Sequence, residues 1–169
     1  MSLLPTGAAA ERNARALALA VPAALLGGAY VGQYVFHLFP CEMCWWQRYA
    51  HFAALALAVL ALLRPSARLL TGLAALAILV GGLLGLYHAG VEYGWWQGFT
   101  ACTSEVELGD DPLSAILNAP MIRCDQVQWS LAGISLAGFN FLISVPAALL
   151  IFALVRRGQE PSSFTRAAA

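Results

Sequence analysis

An all-α membrane protein, built as a four-transmembrane-helix bundle with a short and a long outward loop, is the fold class the sequence predicts. Three observations predict it. The 169 residues are 60% hydrophobic and only 11% charged, with a mean hydropathy of +0.72, whereas a soluble domain is about half apolar and a quarter charged. Four nearly charge-free runs, about 15–38, 44–63, 69–91 and 131–155, approach the roughly 20 residues with which a helix crosses a hydrocarbon core. The pieces between them are too short for a separate soluble core, so a single membrane domain over 1–169 is expected. Formal net charge is zero, which implies no polyanion surface and no nucleic-acid partner.

The first run follows Arg12 and Arg15. It is longer than a signal-peptide core and no clear A-x-A site follows, so it is read as a retained span. Pro22 inside it is tolerable where neighbouring helices re-satisfy the backbone. Gly28 and Gly32 form a small-xxx-small pair, read as a helix contact. A tight turn at Phe39–Met43 leads to the second run, which is long enough to span only if it starts near Cys44. The third run carries a second small pair, Gly81 and Gly85, and ends at His88 and Glu92.

The long loop, about 92–130, contains "DDPLSAILNAPMIRC". It reads as a short helix with Asp111 as N-cap, Pro112 at the first position, and Leu113, Ile116 and Leu117 on one face. Such a segment suits the membrane surface or packing onto the bundle. The fourth run contains Pro146. Arg12, Arg15, Arg64, Arg68, Arg156, Arg157 and Arg166 fall on one side and only Arg48 and Arg123 on the other. By the positive-inside rule both termini are cytoplasmic. Trp45, Trp46, Trp95, Trp96 and Trp129 then sit at the outward ends, the expected place for an interfacial aromatic belt.

All four cysteines also fall on the outward side, where disulfides persist. Cys41-Glu42-Met43-Cys44 is a C-x-x-C pair, a spacing that closes a small disulfide ring and favours thiolate. A four-thiolate zinc site is less well supported, because no second close pair exists. A purely structural bond is a serious alternative for Cys102 and Cys124, where closing the loop contributes about 3 kcal/mol. It explains Cys41 and Cys44 poorly, since so small a ring restrains little chain.

On a helical wheel Arg48 lies about 40° and His51 about 20° from Cys44. A thiolate at Cys44 stabilised by Arg48 is therefore expected, with headgroup snorkelling as the alternative for Arg48. His51 is open to a reading as a satisfied buried histidine. His88 and Glu92, at i and i+4, form either a helix-end pair or, with Arg48, the polar end of a pocket for a lipid-soluble ligand such as a quinone.

The chain resembles the DsbB disulfide-bond formation family of bacterial inner membranes. The resemblance rests on "GQYVFHLFPCEMCWWQRYAH", "GLYHAGVEYGWW", "ACTSE" and "RCDQVQW", in order, together with four spans. It implies a quinone-dependent membrane thiol oxidase with periplasmic loops and Cys41, Cys44, Cys102 and Cys124 as catalytic residues. Cys102 and Cys124 would oxidise a soluble DsbA-like periplasmic thiol oxidase, with Cys102 attacked by the partner and Phe99, Thr100 and Ala101 along its groove. Cys41–Cys44 would reoxidise the loop pair, and Cys44 would pass two electrons to ubiquinone or menaquinone held by Arg48 and His88. An acid-rich loop (Glu105, Glu107, Asp110, Asp111) departs from the family pattern and bears on the partner. Two rivals stay open. A quinone reductase of the vitamin K epoxide reductase type would carry its C-x-x-C on the last core span, and a disulfide-stapled tetraspan scaffold would have no redox exchange.

Overall fold

The computed structural model describes residues 4–64, 67–100, 102 and 122–159. The loop helix expected from Asp111 through Leu117, the acids Glu105, Glu107, Asp110 and Asp111, Ala101 and Arg166 lie outside the described residues.

Helices dominate. In chain order they are α1 (Gly7–Val35), α2 (Glu42–Leu62), α3 (Arg68–Glu92) and α4 (Leu136–Arg157), with a two-stranded hairpin, β1 (Ser130–Leu131) and β2 (Ile134–Ser135), before α4. α3 packs between α2 and α4, and α1 closes against both α2 and α4. Among the described residues α1, α3 and α4 are long and apolar enough to cross a membrane. α2 is 21 residues long, but its first turns carry Glu42, Gln47, Arg48 and His51, which lower its mean hydropathy.

The interior is small and the exterior large, the reverse of a water-soluble bundle. Ala14 and Ala18 of α1, Ala54 and Ala58 of α2, Ala74 and Ala75 of α3 and Ala148 of α4 meet in the core. Leu69, Leu73, Leu76, Val80 and Leu83 leave α3 outward at alternating spacings of four and three. Lipid tails are as apolar as leucine, so burying leucine between the helices gains little and close backbone approach by small residues gains more.

The two glycine pairs behave differently. A Cβ at Gly85 would lie 2.8 Å from the Ala137 carbonyl oxygen and 3.0 Å from Asn140 Nδ2, so α3 and α4 touch there, as the pattern predicts. At Gly28 a Cβ would meet nothing within 4 Å, and at Gly32 only Leu38 at 3.7 Å. The expected helix contact at Gly28 and Gly32 is corrected: both border a cavity instead.

One end of the bundle is tied by polar contacts. Arg68 pairs with Glu11 and donates to the Gly158 carbonyl at 3.2 Å, while Arg157 donates to the Leu4 carbonyl at 3.1 Å. At the other end α1 stops at Val35, and His37 takes a positive φ of 55°. Residues 131–135, expected within the fourth span, form the hairpin. Ala132 and Gly133 both have positive φ, 52° and 77°, as a two-residue type I′ turn requires. Tyr93 Oη fixes the hairpin, accepting from Ser135 N–H at 2.7 Å and donating to the Gly133 carbonyl at 2.8 Å. Ser135 then caps α4 by accepting from Gly138 N–H at 3.2 Å.

Candidate thiol-exchange site

Cys41 is the N-cap of α2. Its backbone is extended and its sulfur accepts from Cys44 N–H at 3.4 Å, as capping side chains do with orphan amides. The C-x-x-C spacing thus aims one thiol at the first turn, where helix N-termini favour negative charge. Cys41 and Cys44 are free thiols, with their sulfurs 3.2 Å apart.

Cys102 and Cys124 are bonded to each other. The loop bond packs against the first pair, since Cys41, Met43, Val91, Cys102 and Cys124 form one buried cluster. Cys41 Sγ, Cys124 Sγ and a ring nitrogen of His88 all lie within 4.8 Å of one another. Thr100 Oγ1 is 3.0 Å from Cys102 Sγ and 3.9 Å from Cys124 Sγ. Arg123 clamps Asp125 through two hydrogen bonds, at 2.9 and 2.5 Å, bracing the residue after Cys124. That bonding holds the Asp125 carboxyl below its ordinary range.

His88 reaches this cluster from α3. Nε2 is 3.1 Å from the Cys124 carbonyl oxygen and 3.5 Å from Cys41 Sγ, whereas Glu92 Oε1 is farther, at 3.8 Å. Sequence spacing showed only the His88–Glu92 pair; the closer partners come from other elements. Gln47 Nε2 faces His88 Nδ1 at 3.0 Å, and Asn140 Nδ2 donates to Gln47 Oε1 at 2.8 Å. His51 Nε2 meets Asn140 Oδ1 at 2.9 Å. His51 Nδ1 has no hydrogen-bond partner among the described residues. The satisfied-histidine reading therefore holds for one ring nitrogen.

Arg48 is buried, at 7% exposure. Its guanidinium donates to Gln33 Oε1 at 2.6 Å and to the Ala29 carbonyl at 3.3 Å, and lies 5.0 Å from the rings of both Tyr30 and Trp45. Its hydrogen bonds thus run to α1. Contacts that favour a thiolate converge on Cys41, which caps the helix and faces His88, whereas the expectation for Cys44 rested on Arg48, whose hydrogen bonds go to Gln33 and Ala29. Hydrogen bonding from the Cys44 thiol, opposed by burial and reinforced by His88, holds the Cys41 thiol well below the usual thiol range.

Because that folded value lies below the unfolded one, about 8.5, the thiolate's contribution to the stability of the reduced protein is full above about pH 8.5. It disappears as pH falls through the depressed folded value. Thiolate absorbance of the reduced protein is expected to persist at neutral pH, and His88→Ala to move its titration upward. An ordinary thiol titration in the unsubstituted protein would contradict the assignment.

Cys41 and Cys44 line a cavity of about 280 Å³. Ala24, Leu25 and Gly28 of α1 form an apolar wall, and Cys44, Arg48 and His51 of α2 a polar one. The arrangement gives a dithiol access to this cavity on one side and to a second disulfide on the other. Phe99 packs on Trp46 and Tyr87, at ring distances of 5.6 and 5.2 Å, yet is 72% exposed, while Thr100 beside it is buried. Missed in the sequence were Gln47, Asn140 and Gln33. A lone asparagine in the apolar run of α4 is a costly placement in a membrane and was the available signal.

Residues 11–154 match the profile of the family described as disulfide bond formation protein DsbB. The chain is 34% identical over 153 residues to a disulfide bond formation protein B of Verminephrobacter eiseniae, covering 84% of each chain. It is 34% identical to one of Aromatoleum aromaticum, over 82% of this chain and 88% of that one. For one of Chromohalobacter salexigens the identity is 33%, over 83% and 91% respectively. No solved structure matches significantly.

Proposed function

Because the chain belongs to the DsbB disulfide bond formation family, a multi-pass membrane oxidoreductase that forms disulfides, we propose that it reoxidises a periplasmic DsbA-like dithiol through its two cysteine pairs and delivers the electrons to a quinone. The observation that carries this reading is the approach of Cys41 and Cys124 to within 4.8 Å beside His88. We take the protein as a single domain in the bacterial inner membrane with four crossings, α2 included, both termini cytoplasmic and the cysteines periplasmic. The arginines and the tied bundle end, opposite the cysteines, support that orientation.

The exchange balances as two transfers, each of two displacements. A partner dithiol attacks the Cys102–Cys124 bond at Cys102 and leaves as a disulfide, with its two electrons and two protons now on Cys102 and Cys124. Cys124 thiolate attacks Cys41 of an oxidised Cys41–Cys44 pair, forming a Cys41–Cys124 bond and releasing Cys44. Cys102 then attacks Cys124, restores the loop disulfide and expels Cys41. A low-pKa thiol leaves faster in such an exchange, which is the role the cap, Cys44 and His88 give Cys41. Loop pair bonded and Cys41 and Cys44 free corresponds to the product of these steps.

The residues around the cavity fit a quinone: small apolar side chains suit a ring with a lipid tail, and Cys44, Arg48 and His51 provide the polar end. When bound, a quinone supplies an acceptor for two electrons and two protons. Arg48, fixed by Gln33 and the two rings, would orient its head, and Cys44 would face it. His88 touches the exchanging sulfur more closely than its assignment to quinone binding implies, although it also lines the cavity.

Purified protein in detergent, given a reduced DsbA-like donor and ubiquinone or menaquinone, is expected to reduce the quinone in proportion to donor oxidised. A quinone-loaded protein that oxidises one equivalent of donor and never turns over would overturn the proposal, and one that oxidises no donor at all would favour the scaffold.

A further inference from the structure

Hydrogen-bond polarity in the buried chain behind the thiols is fixed by atoms that have no choice. Backbone carbonyls only accept. Gln47 Nε2 lies 3.1 Å from the Met43 carbonyl oxygen and Asn140 Nδ2 2.9 Å from that of Gly81, so nitrogen, not oxygen, faces each carbonyl. Gln47 Nε2 therefore donates to His88 Nδ1 at 3.0 Å as well. Asn140 Nδ2 donates to Gln47 Oε1 at 2.8 Å, and Asn140 Oδ1 accepts from Ser144 Oγ at 2.8 Å and His51 Nε2 at 2.9 Å. With Nδ1 an acceptor, the neutral ring of His88 carries its proton on Nε2. A third carbonyl agrees: Nε2 is 3.1 Å from the Cys124 oxygen.

We propose that Gln47 and Asn140 are positioning residues of the exchange site, which hold His88 in the Nε2–H tautomer so that it donates toward Cys41. The inference deepens the exchange reading and rests on it. Its consequence is that His88 serves Cys41 as a hydrogen-bond donor and not as a base. The same lock puts a proton on Nε2, so the ring has no lone pair to offer there, and the free thiols Cys41 and Cys44 do not gain His88 as a third donor to a soft metal ion. A reduced dithiol that must recycle is thereby protected from capture.

The chain can be inverted without changing side-chain shape. In Asn140→Asp the carboxylate offers only acceptors and outcompetes the Met43 carbonyl for Gln47 Nε2, so Gln47 gives up that bond, turns its Nε2 toward the carboxylate and presents Oε1 to His88 Nδ1, which then takes the proton. Gln47→Glu presents an acceptor to Nδ1 directly. The two variants reach one result by different routes, so a folding failure in one leaves the other to decide.

The test is nitrogen NMR of histidine-labelled, reduced full-length protein in micelles, with His88 assigned by its loss in His88→Gln. Expected in the unsubstituted protein are a pyrrole-type Nε2 and a pyridine-type Nδ1, with the reverse in both variants. Cadmium, read by sulfur-to-metal charge-transfer absorbance, is expected to bind each folded variant at least tenfold more tightly than the unsubstituted protein. A pyridine-type Nε2 in the unsubstituted protein would overturn the inference, as would variants that keep its tautomer and cadmium affinity. Quinone reduction on the same samples separates the two claims. Turnover with the wrong tautomer sinks this inference alone, and the right tautomer without turnover sinks the relay alone.

Discussion

Cys41→Ser is expected to reduce thiol-dependent turnover to background, a loss of at least about a thousandfold, while the Cys102–Cys124 disulfide still forms and oxidises one equivalent of partner. In the proposed relay both displacements between the pairs pass through Cys41 sulfur, first as the atom attacked and then as the leaving group, and a hydroxyl performs neither. The substitution leaves the N-cap chemistry in place, since serine is a good cap, so the loss is chemical rather than structural. Cys44→Ser should also lose turnover but differ in kind: the Cys41 thiolate can still attack the loop disulfide at Cys124 and release Cys102, so a Cys41–Cys124 bond forms in exchange with the Cys102–Cys124 bond, a species that Cys41→Ser cannot make. Non-reducing peptide mapping separates these cases. Sustained turnover in Cys41→Ser would mean that Cys124 has another way out.

Gly85→Val should destabilise the fold by about 3 kcal/mol, at the upper end of ordinary overpacking. Its Cβ would lie 2.8 Å from the Ala137 carbonyl oxygen and 3.0 Å from Asn140 Nδ2, and a backbone carbonyl on a packed helix does not step aside. Helix α4 has to move, and Asn140 moves with it. Gly28→Val provides the contrast. Nothing lies within 4 Å of its Cβ, so stability should change by no more than about 0.5 kcal/mol, while quinone-dependent turnover suffers because the valine enters the cavity. Thermal unfolding in micelles measures the first pair of effects. Equal destabilisation by both substitutions would contradict the assignment of one glycine pair to packing and the other to the cavity.

The contrast between the glycine pairs marks the limit of what sequence could tell. A small-xxx-small pattern states that a side chain is missing, and a helix contact and a cavity wall both require that. The apolar runs made the helices legible, because few other structures tolerate such composition. The start of α4 was not legible: Leu131 and Ile134 continue the apolar run, and Ala132 does not advertise a positive φ as asparagine or glycine would. Cysteines, Arg48 and His88 stood out as chemistry in an apolar background. The helical wheel put Arg48 on the face of Cys44, yet its long side chain reaches back to Gln33 and Ala29 of α1, and a wheel holds no such information. Gln47 and Asn140, 93 residues apart, gain meaning only when α2 and α4 meet across α3.

The central claim is that electrons cross between the pairs through Cys41 and Cys124. The measurement that tests it most directly is peptide mapping by mass spectrometry of the Cys44→Ser/Cys102→Ser double variant after mild oxidation in micelles. A Cys41–Cys124 disulfide formed within single molecules, in high yield and without denaturant, is the expected result. If both thiols stay free, or pair only between molecules or after unfolding, the two cysteine pairs do not meet as described and the relay has no path.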